Sequence, residues 1–187
     1  MDFERMKKNE SGLEFVLPAE EHRGQVEEYK RKFLDERRER LSSAVMPGCG
    51  NLEKMGVDEW LWACEDWRVG ANLPEGFVPA TQYLAIRKED GKLIGMFQIR
   101  HHLNDFLEKI GGHIGYSVAP DERRKGYATD MLNMGIDKCK EMGIEKIVIS
   151  CVRENKPSAA VIKKCGGKFE GRGKHEGKVF ERYSIIP

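Results

Sequence analysis

"VAPDERRKGYATDML", Val118 to Leu132, sets two arginines, a lysine and a glycine between a strand pattern and a helix pattern. The preceding "HIGYSV" reads as a strand ending at Val118, and apolar residues at helical spacing begin at Ala128. A helix start exposes unpaired backbone N–H groups and the positive end of the helix dipole. Gly126 lets a ligand approach the backbone with no Cβ in the way, and Arg124 and Lys125 add formal charge. This combination suits a bulky anion such as a pyrophosphate. On these residues alone, a solvated basic turn is the plain alternative. Neither GxxxxGK[ST] nor a GxGxxG following a strand occurs, so a nucleotide P-loop and a dinucleotide fold are set aside.

Downstream, residues 128–142 form an amphipathic pattern. Ala128, Met131, Leu132, Gly135, Ile136, Cys139 and Met142 share one face, and Gly143 marks the stop. "EKIVISCV" reads as a buried strand. "NKPSAAVIKKCGG" reads as a short helix with Pro157 near its start, and the tail as a hairpin around "KHEGK". Upstream, "YLAIRKEDGKLIGMFQIR" predicts a hairpin with a type I′ turn at Asp90-Gly91. "VDEWLWACEDWRVG" predicts a helix capped by Asp58 with Trp60, Cys64 and Trp67 inward. Another helix places Val26, Tyr29, Phe33 and Leu34 on one face, and "LEFVLP" precedes it as a strand. The expected order is β-α-α-β-β-β-α-β-α-β-β. That is an α/β fold of the α+β type, a mixed, mostly antiparallel sheet with helices on both faces.

The 187 residues suffice for one domain with a sizeable core, and a net charge of +1 gives no global attraction to nucleic acid or membrane. In "DERRER" acids and bases alternate with no aromatic between them, a weak basis for RNA binding. Five cysteines without a CxxC pair fit a reducing compartment. The charged N-terminus lacks a signal-peptide core and no run is long enough to span a bilayer, so a cytoplasmic protein is expected.

"RRKGYA", Arg123 to Ala128, resembles the [QR]-x-x-G-x-[GA] signature of the GNAT (Gcn5-related) N-acetyltransferases. The context extends the resemblance: a strand ending "GYSV-x-P", an amphipathic helix, a buried strand, then "ENKPSAAVIKKCGG". It covers about Tyr83 to Phe169 well and the tail moderately. The resemblance implies one acetyltransferase domain over 1–187, with a variable acceptor-side region at about 1–82 and an acetyl-CoA-binding core at about 83–187. The strand ending at Val118 would splay from "KIVISCV", so that backbone groups around Tyr116, Ser117 and Val118 pair with the pantetheine arm. Backbone N–H groups of Arg124, Lys125, Gly126, Tyr127, Ala128 and Thr129 would cradle the pyrophosphate, with Arg123 at the signature's first position. Asn155 matches the side chain that bonds the pantetheine amide, and Ser158 lies one helical turn on. Lys163 and Lys164 could reach phosphates or be solvated. Ile162 occupies the place where many relatives carry a tyrosine that protonates the leaving thiolate, which leaves Tyr116, Tyr183 or water for that task.

The acceptor amine must be neutral to attack, so a base is needed. His113 is the first candidate, on the strand leading to Val118, where relatives often carry a glutamate. The structural alternative is a strand histidine whose ring bonds a neighbour. His101, His102 and Asp105 are read as acceptor-pocket polar groups, and no metal is expected. Trp60, Trp62 and Trp67 are read chiefly as core, with an aromatic wall for an alkylammonium as the sharper alternative. The implied activity is acetyl transfer from acetyl-CoA to an amine-bearing small molecule or peptide within a ternary complex. The competing reading is a non-catalytic acyl-CoA sensor, motivated by Ile162. Whether the chain forms a homodimer stays open.

Overall fold

The computed structural model describes residues 12–40 and 46–187. Its elements follow the expected order: β1 (Leu13–Val16), α1 (Arg23–Arg40), α2 (Val57–Val69), β2 (Ala80–Arg87), β3 (Leu93–Arg100), β4 (Ile114–Val118), α3 (Tyr127–Glu141), β5 (Ile147–Val152), α4 (Lys156–Lys164), β6 (Lys168–His175) and β7 (Lys178–Ile185). One sheet runs β1-β2-β3-β4 and a second β5-β7-β6. Every ladder among the described strands is antiparallel. No helix of the described residues is long and apolar enough to cross a membrane.

Alternation along β2 and β3 feeds two cores, one on each face of the first sheet. On one face Leu84, Ile86, Leu93 and Met96 pack with Val26, Tyr29 and Phe33 of α1 and Trp60 and Cys64 of α2. On the other, Ala85, Ile94, Phe97 and Ile99 meet Met131, Leu132 and Cys139 of α3 and continue to Ile162 and the second sheet. Helices thus cover both faces. Leu34 and Met142 stand at the edges of their apolar stripes, Leu34 partly buried and Met142 exposed.

Two local expectations are corrected. Only Gly91 of the Asp90-Gly91 pair has positive φ (69°). The loop closes through Gly91 N–H donating to the Arg87 carbonyl (2.8 Å), so it is longer than a type I′ turn. The two-residue turn with both φ positive lies instead at Glu176 (47°) and Gly177 (74°), between β6 and β7. Asp58 is not the cap of α2, because Gly56 holds that place. It stands in the first turn, where its negative charge suits the helix dipole, and pairs with Arg23 at 2.5 Å.

Candidate active site

The two sheets join at one end and part at the other. At the joint Gly112 bridges Ile149, the His113 N–H donates to the Val148 carbonyl (2.7 Å), and the Val148 N–H donates to His113 Nδ1 (3.0 Å). Beyond it β4 and β5 share no ladder. β4 pairs Ser117 with Met96 and Gly115 with Gln98, and the Ala119 N–H donates to the Ile94 carbonyl (2.9 Å). In an antiparallel strand the intervening residues point the other way, so the N–H and C=O of Tyr116 and Val118 face the gap.

Side chains define the rest of the gap. The Val118 carbonyl accepts from Arg123 Nε at 3.3 Å, and the Tyr116 hydroxyl lies 3.3 Å from Ser158 Oγ on α4. Asn155 caps α4, its Oδ1 accepting from the Ser158 N–H (3.2 Å), with its amide nitrogen at the exposed rim. Ser117 turns away: its Oγ sits 3.1 Å from the Tyr29 hydroxyl and its carbonyl accepts from that hydroxyl at 2.9 Å. Tyr116, Ser158 and Asn155 therefore come together, Val118 lies two residues along the same strand edge beside Arg123, and Ser117 belongs to the α1 layer.

At the C-terminal end of the gap the loop enters α3. Gly126 is the N-cap with φ 91°, and the Thr129 N–H donates back to its carbonyl (2.9 Å). Tyr127 and Ala128 thus present first-turn N–H groups without backbone partners among the described residues. Arg124 is exposed, adopts positive φ (66°) and meets no carboxylate among the described residues. Arg123 is tied inward, with Nη1 2.7 Å from Glu36 and its guanidinium 5.3 Å over the Phe33 ring. Lys125 pairs with Glu122 at 2.9 Å.

Glu122 is the residue that sequence reasoning passed over. It is only 3 % exposed and takes Lys92 (2.5 Å), Lys125 (2.9 Å) and Arg87 (3.2 Å). Hydrogen bonds from Lys92 and Lys125 hold its carboxyl below the ordinary carboxylate range. Arg87 also donates to the Tyr127 hydroxyl at 3.0 Å, so this cluster ties the loop to the β2–β3 hairpin. The one available signal was an acid placed inside a basic loop.

The proton-handling candidates are now placed. With Nδ1 accepting from Val148, neutral His113 carries its proton on Nε2, and burial lowers its pKa. Those are the contacts of a strand histidine bonding its neighbour. Burial pushes Tyr116 up to about 12, and burial with the Glu181 carboxylate does the same to Tyr183, whose hydroxyl donates to Glu181 at 2.9 Å. Of the two, only Tyr116 faces the gap. Ile162 is fully buried core. His101 Nε2 lies 2.8 Å from Thr81 Oγ1, and burial followed by the charge of the adjacent His102 lowers its pKa; His102 and Asp105 are exposed, and no His/Cys/Asp/Glu trio among the described residues is arranged for a metal. Trp60 donates to the Cys49 carbonyl (2.7 Å) and Trp67 is buried, whereas Trp62 is exposed. Lys163 lies 5.9 Å over the Tyr183 ring and Lys164 is exposed.

Residues 26–168 match the family model described as an acetyltransferase (GNAT) domain. The uncharacterized N-acetyltransferase YnaD of Bacillus subtilis (strain 168) is 31% identical over 122 residues. That match spans 62% of this chain and 65% of YnaD, just under two thirds of the relative's length. The ribosomal-protein-S5-alanine acetyltransferase of Vibrio fischeri superposes with a TM-score of 0.68 at 19% identity, over 94% of this chain and 93% of its own. A microcin C7 self-immunity acetyltransferase, solved with acetyl-CoA and AMP, gives 0.63 at 20% identity over 97% and 95%.

Proposed function

The chain belongs to the GNAT acetyltransferase family, and on that premise we propose that it transfers the acetyl group of acetyl-CoA directly to an amine held in the same complex. One observation carries the reading: a strand edge opened at Tyr116 and Val118 runs to a helix start at Gly126. The pantetheine amides pair with that edge as an added strand. The pyrophosphate takes the N–H groups of Tyr127 and Ala128, assisted by Arg124. Asn155 bonds the arm from the opposite wall. Arg123 and Lys125 act by fixing the loop, since their charges are engaged by Glu36 and Glu122.

Positioning of thioester and amine then supplies much of the acceleration. A gap-facing N–H of β4 polarises the thioester carbonyl. Tyr116, at about 12, lies above the ordinary thiol range near 8.5, so it stabilises the leaving thiolate by hydrogen bonding while water supplies the proton. The base role of His113 carries a specific cost, because taking a proton at Nδ1 breaks its bond to Val148. All five cysteines are free, which supports a cytoplasmic setting. We take residues 1–82 as the acceptor-side region of one domain and 83–187 as its donor core.

Thiol release from acetyl-CoA, measured across a panel of small amines, amino acids and peptides, tests this. The expected result is turnover of at least one amine class with micromolar CoA binding. Tight CoA binding with no turnover on any acceptor would establish the sensor instead.

A further inference from the structure

Arg100 ends β3 with a guanidinium that no acid among the described residues neutralises. Its Nη1 donates to the Gly112 carbonyl at 3.0 Å, and no carboxylate among the described residues acts on it. The other partly buried arginines behave differently: Arg23, Arg37, Arg68, Arg87 and Arg182 each meet a carboxylate. Burial without a counter-charge brings Arg100 down to about 10. A desolvated, unpaired cation is costly, and it is retained where a ligand completes it.

The surroundings of Arg100 are also unspent. Gln98 shares its face of β3, is buried, and has no side-chain hydrogen bond among the described residues. Its register partner Gln82 leaves Oε1 buried without a donor. On β4 Gly115 pairs with Gln98, and a Cβ built there would stand 3.9 Å from Arg100 Nη2 and 2.9 Å from the Gly48 nitrogen, so the Gly48 loop forms the roof beside the guanidinium. The strand edge proposed for pantetheine runs from Val118 toward Ile114, so its reactive end arrives on the Gly112–Gly115 side where Arg100 waits.

Resting on the acetyltransferase reading, we infer that Arg100, with Gln98 beside it, binds a carboxylate of the acceptor, so that the acceptor class is an amine carrying a carboxylate, as an amino acid does. With Nη1 spent on Gly112, the Nε–Nη2 edge remains, and it matches the two oxygens of one carboxylate.

The test pairs carboxylates with their neutral isosteres. In CoA-loaded protein, propionate should shift the Arg100 Nε–H resonance saturably, and propionamide should leave it in place; Arg100→Lys assigns the signal. In turnover, L-amino acids should exceed their C-terminal amides by at least about 10-fold in kcat/KM. Arg100→Gln should erase that ratio through KM with kcat held, and Arg100→Lys should restore part of it. An unmoved resonance, or a ratio of one in the native enzyme, or a ratio that survives Arg100→Gln, overturns the inference. CoA affinity and thermal melts of the same variants separate the failures: a native chain that binds no CoA sinks the acetyltransferase reading, whereas intact CoA binding without carboxylate preference sinks only the role of Arg100.

Discussion

Glu122 and Arg100 are charged groups withdrawn from solvent in the same protein, and the fold treats them in opposite ways. Glu122, beside the donor loop, is surrounded by Arg87, Lys92 and Lys125. Arg100, on the side proposed for the acceptor, meets one backbone carbonyl and no acid among the described residues. A charge satisfied internally fixes backbone, and here it fixes the loop whose N–H groups are proposed to receive the pyrophosphate. A charge left bare leaves its recognition for a ligand. The donor is common to a whole family and can be met by preset backbone, whereas the acceptor must be chosen by side chains.

The strongest way to break this contrast is Gly126→Asp. A Cβ at Gly126 meets nothing within 4 Å, so the fold should survive with only the strain of φ 91°, about 1 kcal/mol for an aspartate. The carboxylate would stand against the pyrophosphate at the helix start. CoA affinity by calorimetry should fall by at least about 100-fold, the scale of an unpaired charge set against a bound anion. Unchanged affinity would remove the loop from the donor site and the contrast with it.

What the sequence disclosed follows the same division. The order of elements, the helix faces and the glycine at the start of α3 rest on local periodicity and on a contiguous motif. The amphipathic stripe of Met131, Leu132 and Cys139 was legible because burial there repeats every three to four residues. Glu122 and Arg100 were illegible in their present roles, and the bonded strand histidine at His113 was legible only as an alternative to a base, because each is defined by partners outside its own segment. Lys92 lies 30 residues from Glu122, and Val148 lies 35 from His113. Likewise Ser117 looked equivalent to Tyr116 until strand parity and Tyr29 turned it to the other face. The Asp90-Gly91 turn failed for another reason: the dipeptide permits a type I′ geometry, but the Arg87–Asp90 ion pair at 2.6 Å accompanies a longer loop.

Glu122→Gln gives a smaller effect and sharpens the contrast. Removing the carboxylate leaves three cations facing one another, so the loop should loosen. CoA affinity should drop by about 10-fold and the melting temperature should fall, with kcat at saturating CoA held and Glu122→Asp intermediate. A competing effect has the opposite sign, since Lys125 released from Glu122 strengthens the field on the phosphates. Salt screens that attraction far more than it restores loop geometry, so the loss should persist at 0.5 M salt. A gain in affinity would show that free cations, not ordered backbone, hold the donor.

His113→Gln should produce the smallest change, and it acts at the joint between the two sides. Burial lowers the folded-state pKa of His113, so the unfolded chain binds the extra proton more readily. Its contribution is complete above the ordinary value near 6.5, begins to fade below it and is lost as the pH falls through the lowered folded-state value. The native melting temperature should therefore decline between pH 8 and pH 5.5, and the variant, lacking this group, should decline less. The pH–rate profile in the same variant separates the two roles. A base at His113 predicts loss of the neutral limb in kcat/KM, while a ring that pins β4 to β5 through Val148 predicts an unchanged profile with weaker CoA binding, because the width of the gap depends on that pin. A lost limb would place proton removal at the joint itself; an intact one would leave the joint to pin the two sheets together and assign deprotonation to water near the acceptor.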